Sequence, residues 1–342
     1  MRVGMRFGVS FGALYAPAAE LAGLGAEVEA GGFETLWVPD SPMLYRDPYA
    51  TLALLTRETR RARLGTLATN PLTRHPAVTA NAILTIHELS GGRGLLGIAT
   101  GDSAVRRLGA RPARLADLES AVLEIRALLA GRAVGHAGRE FGIRFAAGAM
   151  LPIYVVASGL GAVELGARVA DGVVLNVGRH PAVLRAARER IERGARAAGR
   201  APTDVSLIAF LFCAIADDGA IARARLKPSV SWFAHRFPGL CERAGLSPAP
   251  RVREALARFD ADYARYDLVH ADRWAQAVRD ADFLPTEYVD AFALGGTAAE
   301  VAAELAGVRA LGFDEVVIRP PAPEDWPPTV RAFMRQVMPA LR

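Results

Sequence analysis

The chain has 342 residues, 51% of them in the hydrophobic classes, and a formal net charge of +5. That is ample material for a large core, and the length fits either two ordinary domains or one barrel. The basic residues are interleaved with Asp and Glu along helical segments, and the absence of a basic run, a recognition helix or an aromatic stacking motif excludes a nucleic-acid partner.

Short runs rich in Val, Ile, Leu and Phe alternate with Ala-rich segments of helical period, the pattern of parallel strands joined by crossover helices. The first predicted strand, Arg6 to Phe11, precedes a helix over Pro17 to Ala30. The second, Thr35 to Pro39, precedes Pro48 to Thr59; the third, Arg63 to Thr69, precedes Pro76 to Leu89. The fourth, Gly94 to Thr100, leads into Leu115 to Leu129. Gly131 to Leu151 then reads as a loop or hairpin. The fifth strand, Ile153 to Ala157, is followed by Val163 to Val169, and the sixth, Gly172 to Val177, by Pro181 to Ala198. The seventh is Val205 to Ala216. A helix opening at Thr297 leads to the eighth, Glu315 to Arg319. Several helices open on proline, where the missing N–H costs little. Eight such units predict a (β/α)8 TIM barrel, one domain over residues 1–342, rather than an open sheet.

The spacing fails only between the seventh strand and Thr297, where about eighty residues intervene, more than a plain connection needs. This insertion, 218–292, contains Trp232, His235, Phe237, Tyr263, Tyr266, His270 and Trp274. It is expected to be helical and to serve as a lid over the active site, as an oligomerisation element, or as both. Cys213 and Cys241 lie in different segments without metal-ligand spacing, so they read as buried thiols of a reducing compartment. No apolar run is long enough to span a bilayer, and no targeting signal opens the chain, so a cytoplasmic location is expected.

A barrel gathers its chemistry at the carboxyl ends of its strands. Those ends are polar here: Asp40-Ser41, Thr69-Asn70, Gly101-Asp102-Ser103, Ser158-Gly159-Leu160-Gly161, and Asn176-Val177-Gly178-Arg179-His180. Asp40 and Asp102 read either as helix caps or as catalytic acids. Ser158 to Gly161 follows a strand and opens a helix, so it reads either as a phosphate site offering free N–H groups or as a tight turn, and Glu164 stands where a dinucleotide fingerprint requires glycine. Serine elbow, zinc helix motif, metal-spaced histidines and P-loop are all absent. Difficult chemistry therefore falls to an organic cofactor.

Taken together, Gly31 to Asp40, Leu64 to Ala77, Gly101 to Ala104, Ala170 to Val173 and Val289 to Thr297 resemble the luciferase-like flavin and deazaflavin oxidoreductases. The resemblance runs through nearly the whole chain and is strongest to the branch of the methylenetetrahydromethanopterin reductases. It implies a tricyclic cofactor across the barrel mouth, coenzyme F420 or alternatively FMN, with the Thr69-Asn70-Pro71 and Gly101-Asp102-Ser103 versions favouring F420. It implies a non-prolyl cis peptide in a bulge of the third strand, at Leu67-Ala68 or its neighbour. The cofactor contacts it implies are Leu67, Ala68, Thr69, Asn70, Gly101, Ala157, Ser158, Gly159, Leu160, Gly161, Asn176, Val177 and Arg179, the last near an acidic tail. Asp40 and Asp102 become the candidate catalytic residues. Ser41 stands where the sugar-phosphate dehydrogenases of the family have histidine, which puts a histidine-dependent alcohol oxidation in doubt. The expected activity is reduction of a small imine, alkene or ketone. The alternatives are an FMN-dependent monooxygenase and a non-catalytic flavin or deazaflavin carrier. Family members are often homodimers.

Overall fold

Eight parallel strands close on themselves. They are β1 (Arg6–Ser10), β2 (Thr35–Val38), β3 (Arg63–Thr66), β4 (Gly94–Ile98), β7 (Ile153–Ala157), β8 (Gly172–Leu175), β9 (Ser206–Ile215) and β11 (Glu315–Arg319), and the ring is sealed by β11 pairing with both β9 and β1. The computed structural model describes residues 5–12, 14–136, 138–146, 148–264 and 273–341; Tyr266 and His270 of the expected lid lie outside them. Around the ring run α1 (Ala18–Ala30), α2 (Pro48–Glu58), α3 (Pro76–Leu89), the short α4 (Ser103–Arg106), α5 (Leu115–Leu129), α6 (Leu160–Val169) and α7 (Pro181–Ala197). After β9 come α8 (Gly219–Arg236), α9 (Pro238–Arg243), α10 (Pro250–Ala264), α11 (Trp274–Asp280) and α12 (Thr286–Phe292), so the insertion is helical as expected. The chain ends on α13 (Ala298–Ala310), α14 (Trp326–Ala332) and α15 (Met338–Leu341).

Strand alternation sorts the side chains. On β11, Val316 and Ile318 join the large core beneath the helices, whereas Val317 belongs to the barrel interior with Trp37, Leu95, Tyr154, Val174, Ile208 and Phe210. Glu315 and Arg319 share the inward phase with Val317. The floor of the barrel is closed by Glu315, fully buried, which accepts from Trp37 Nε1 at 3.2 Å and Thr35 Oγ1 at 3.1 Å and lies 3.6 Å from Arg6 Nε. A lone carboxylate there would be costly; these donors satisfy it. Entry is left to the opposite rim.

Four local features differ from the sequence reading or refine it. The regular ladder of β3 stops at Thr66 instead of Thr69: the Leu67-Ala68 bond is cis, and Thr69 rejoins the sheet by a bridge to Ile98. Helix α6 begins at Leu160 rather than Val163, because the helical dihedrals start directly after the extended Gly159. Residues 131–151 contain an antiparallel hairpin, β5 (Val134–His136) with β6 (Arg139–Phe141). A ninth parallel strand, β10 (Ala293–Gly296), went unrecognised. It pairs with the upper part of β9, Ala293 against Phe212 through Gly296 against Ile215, above the stretch that β8 uses.

Candidate active site

Asp40 lies just beyond β2 and is 2% exposed. Its Oδ2 accepts from Thr69 Oγ1 at 2.7 Å and from Arg74 at 2.5 Å, while Oδ1, equally buried, has no hydrogen-bond partner among the described residues. Arg74 also reaches Asp47 at 2.6 Å and stacks over Tyr49 at 5.1 Å. Burial alone would depress the Arg74 pKa, but the hydrogen bonds and charges of Asp40 and Asp47 outweigh it and raise it above the ordinary value. Tyr49 is pushed upward by burial and by the Asp40 charge. The result is a fixed cation and a buried carboxylate with one oxygen left over.

Next to it, Asn70 does not offer its side chain to a ligand. Its Oδ1 accepts from the N–H groups of Leu72 and Thr73 and its Nδ2 donates to Thr73 Oγ1, closing the turn before α3. Gly101 has φ +85°, and a Cβ there would lie 2.9 Å from Val105 and 3.2 Å from Asn70, so the close approach of these two loops requires glycine. Asp102 precedes α4 but makes no side-chain cap hydrogen bond. Its carboxylate meets Arg106 at 2.5 Å and Arg236 of α8 at 3.6 Å, and is far more exposed than Asp40. Ser41 and Ser103 hydroxyls are 2.8 Å apart, tying the loops after β2 and β4.

Across the mouth, Asn176 Nδ2 donates to Ser158 Oγ at 3.1 Å, which brings two predicted residues together. Gly159 precedes α6 without a side-chain cap, and the first-turn N–H groups, including those of Leu160 and Gly161, have no helical acceptor. They border a cavity of about 580 Å³ lined by Ser158, Gly159, Leu160, Arg236, Phe237 and Arg243 among others. Arg236 is steadied by the Trp232 ring at 5.6 Å and by Asp260 at 3.4 Å. The helix N-terminus and the Arg236 and Arg243 guanidinium groups border one volume that favours an anion, with the Glu242 carboxylate also on its wall. Ala157 and Val177 are fully buried in the core beneath the helices, so only their backbones face this region.

Arg179 is placed elsewhere. Its Nε donates to Ala293 O at 2.7 Å and its terminal nitrogen lies 2.9 Å from Glu304 of α13, clasping β10. Burial lowers its pKa despite Glu304. A guanidinium so engaged is not available to an acidic tail, and Arg236 and Arg243 stand nearest the anion-favouring cavity instead. Sequence reasoning missed both because the insertion carries no pattern that places α8 and α9 beside α6.

The sequence profile of the luciferase-like monooxygenases matches residues 4–315. The chain belongs to the luciferase-like monooxygenase family. Within this family it is 31% identical over 324 residues to a 5,10-methylenetetrahydromethanopterin reductase from Archaeoglobus fulgidus, covering 92% of this chain and 93% of that one. It is 34% identical over 266 residues to the enzyme of the same name from Methanolobus tindarius, covering 75% and 80%. In shape it is similar to the coenzyme F420 dependent tetrahydromethanopterin reductase of Methanopyrus kandleri, with a TM-score of 0.81 at 22% identity over 99% of this chain and all of the other. Relatives named as reductases and dehydrogenases identify this luciferase-like chain as an oxidoreductase. Among the described residues no helix is long and apolar enough to cross a membrane.

Proposed function

We propose that the protein is an F420-dependent reductase of a small organic acceptor with an electrophilic carbon, and that it works as a homodimer. One observation carries the cofactor reading: the break in the β3 ladder after Thr66 lies at the mouth two strands from the α6 N-terminus, which shares a cavity with Arg236 and Arg243. A flat ring against the first and a phosphate with an acidic tail at the second fit these residues. When bound, F420 supplies a hydride from C5. Leu67, Ala68 and Gly101 would border the ring; Ser158, Gly159, Leu160 and Gly161, steadied by Asn176, would hold the phosphate. Asp40 would hold or deliver a proton through its free Oδ1, positioned by Thr69 and Arg74. Fixing the acceptor beside the ring can account for a large part of a rate enhancement.

Side-by-side fluorescence titrations with F420 and FMN test this. F420 is expected to bind in the micromolar range or tighter, corresponding to about 8 kcal/mol, and FMN distinctly more weakly. Exchanging Arg236 and Arg243 for alanine should weaken F420 more at low salt than at high salt. Tight FMN binding with no F420 affinity would overturn the assignment, and equilibrium sedimentation checks the dimer.

A further inference from the structure

Arg319 closes β11 in the inward phase, level with Phe212 of β9 and the segment beyond β1. Its guanidinium lies 5.0 Å from the centre of the Phe212 ring and against the backbone of Gly12, where a Cβ would come within 2.4 Å of Nε. The only hydrogen bond it makes among the described residues is a long one, 3.5 Å, to Tyr45 Oη. Arg74, Arg106, Arg179 and Arg236 each meet a carboxylate at the same rim. Arg319 meets none within 4.0 Å among the described residues, although it is half-buried with its guanidinium over an aromatic ring. A partly desolvated guanidinium that no carboxylate neutralises is a site for a planar anion, because its parallel N–H pair matches the two oxygens of a carboxylate.

Its place on the ring says which anion. Ring order runs β11, β1, β2, β3, β4, β7, β8, β9 and back to β11, so Ser158 beyond β7 and Arg319 beyond β11 stand three strands apart around the mouth. A cofactor reaching from the β3 bulge to the α6 N-terminus leaves the sector of β11, β1 and β2 to the acceptor. Asp40, beyond β2, borders the same sector. We infer that Arg319 binds a carboxylate of the acceptor, so that the substrate class is small organic acids whose reducible carbon lies within a few bonds of that carboxylate. This rests on the reductase reading for the cofactor's position, but the binding itself can be measured independently.

Calorimetric titration of the F420-loaded protein with benzoate, phenylacetate and 3-phenylpropanoate, each against its primary amide, tests the inference. At least one acid should bind about tenfold tighter than its amide, the scale on which a charge-assisted pair exceeds a neutral one. Arg319→Met, which keeps the stem against Phe212, should abolish that preference while leaving thermal stability and F420 affinity within about twofold of wild type. Arg319→Lys should restore it only in part. Equal binding of acids and amides, no binding of any acid at millimolar concentration, or a preference that survives in Arg319→Met would each overturn it. Loss of F420 affinity in Arg319→Met would overturn it too, by giving the guanidinium to the cofactor. If F420 binds to neither wild type nor variant, the cofactor reading fails, and the same acid and amide titrations on the unloaded protein still decide the role of Arg319.

Discussion

Two aspartates stood as catalytic candidates, and their surroundings separate them. Asp40 is buried with an unpartnered oxygen, whereas Asp102 is shared between Arg106 and Arg236. Asp40→Asn keeps an acceptor for Thr69 but removes the charge facing Arg74 and the carboxylate oxygen that could take up a proton. Turnover should fall on the order of a hundredfold or more with cofactor still bound. Stability should drop by about 2 kcal/mol, as for a hydrogen bond to a buried charge. Asp102→Asn removes an exposed ion pair worth at most about 1 kcal/mol, and turnover should stay within about tenfold of wild type. Steady-state kinetics beside denaturant melts check both, and the opposite ordering of the two variants would make Asp102 the proton partner. Asp40 and Asp102 were legible because each ends an apolar run. The free oxygen was not, since it depends on where Arg74 and Thr69 spend their donors.

The barrel strands were legible for a plain reason: each is an apolar run long enough to be covered on both faces. β10 escaped because Ala293-Leu294-Gly295-Gly296 is short and half glycine, a composition that reads as a turn. Its glycines answer to packing. A Cβ at Gly295 would press within 2.8 Å of Leu226, and one at Gly296 within 2.8 Å of Glu300. The element is then clasped from behind by Arg179, whose own N–H and that of His180 also donate to Ala291 O at 2.9 and 3.0 Å. Arg179→Ala should therefore act as a structural lesion. It strands a half-buried Glu304 whose pKa burial already raises, and should cost about 2 kcal/mol, below the full figure for a buried pair because Glu304 keeps some solvent. The salt dependence of F420 binding should be unchanged. A steep loss of salt dependence in this variant, with stability intact, would return the tail to Arg179.

At the scale of the molecule, an excess of five positive charges on a chain of pI about 9.6 invites the question of polyanion binding. Much of the arginine is neutralised locally: Arg126 by Asp171, Arg168 by Glu119, Arg190 by Glu164 and Arg223 by Glu300. Duplex DNA should be retarded in a gel only at low ionic strength, and not at about 0.15 M salt, where the Debye length is about 8 Å. Retardation that persists there would expose a basic face unrelated to the barrel mouth.

The ring closure of β1 on β11 also bears on how the protein is made. During synthesis β1 is made long before its partner Glu315–Arg319, so its outer edge stays unpaired until that strand emerges. β9 waits as well, with its middle residues reserved for the same late strand. A nascent chain stopped short of Glu315 would present two long apolar edges at once, each a template for strand addition by a neighbour. Ribosome stalling or truncation ahead of this strand should therefore yield aggregates rather than a soluble, slightly weakened barrel, and the eighth barrel strand decides whether the strands before it stay in solution.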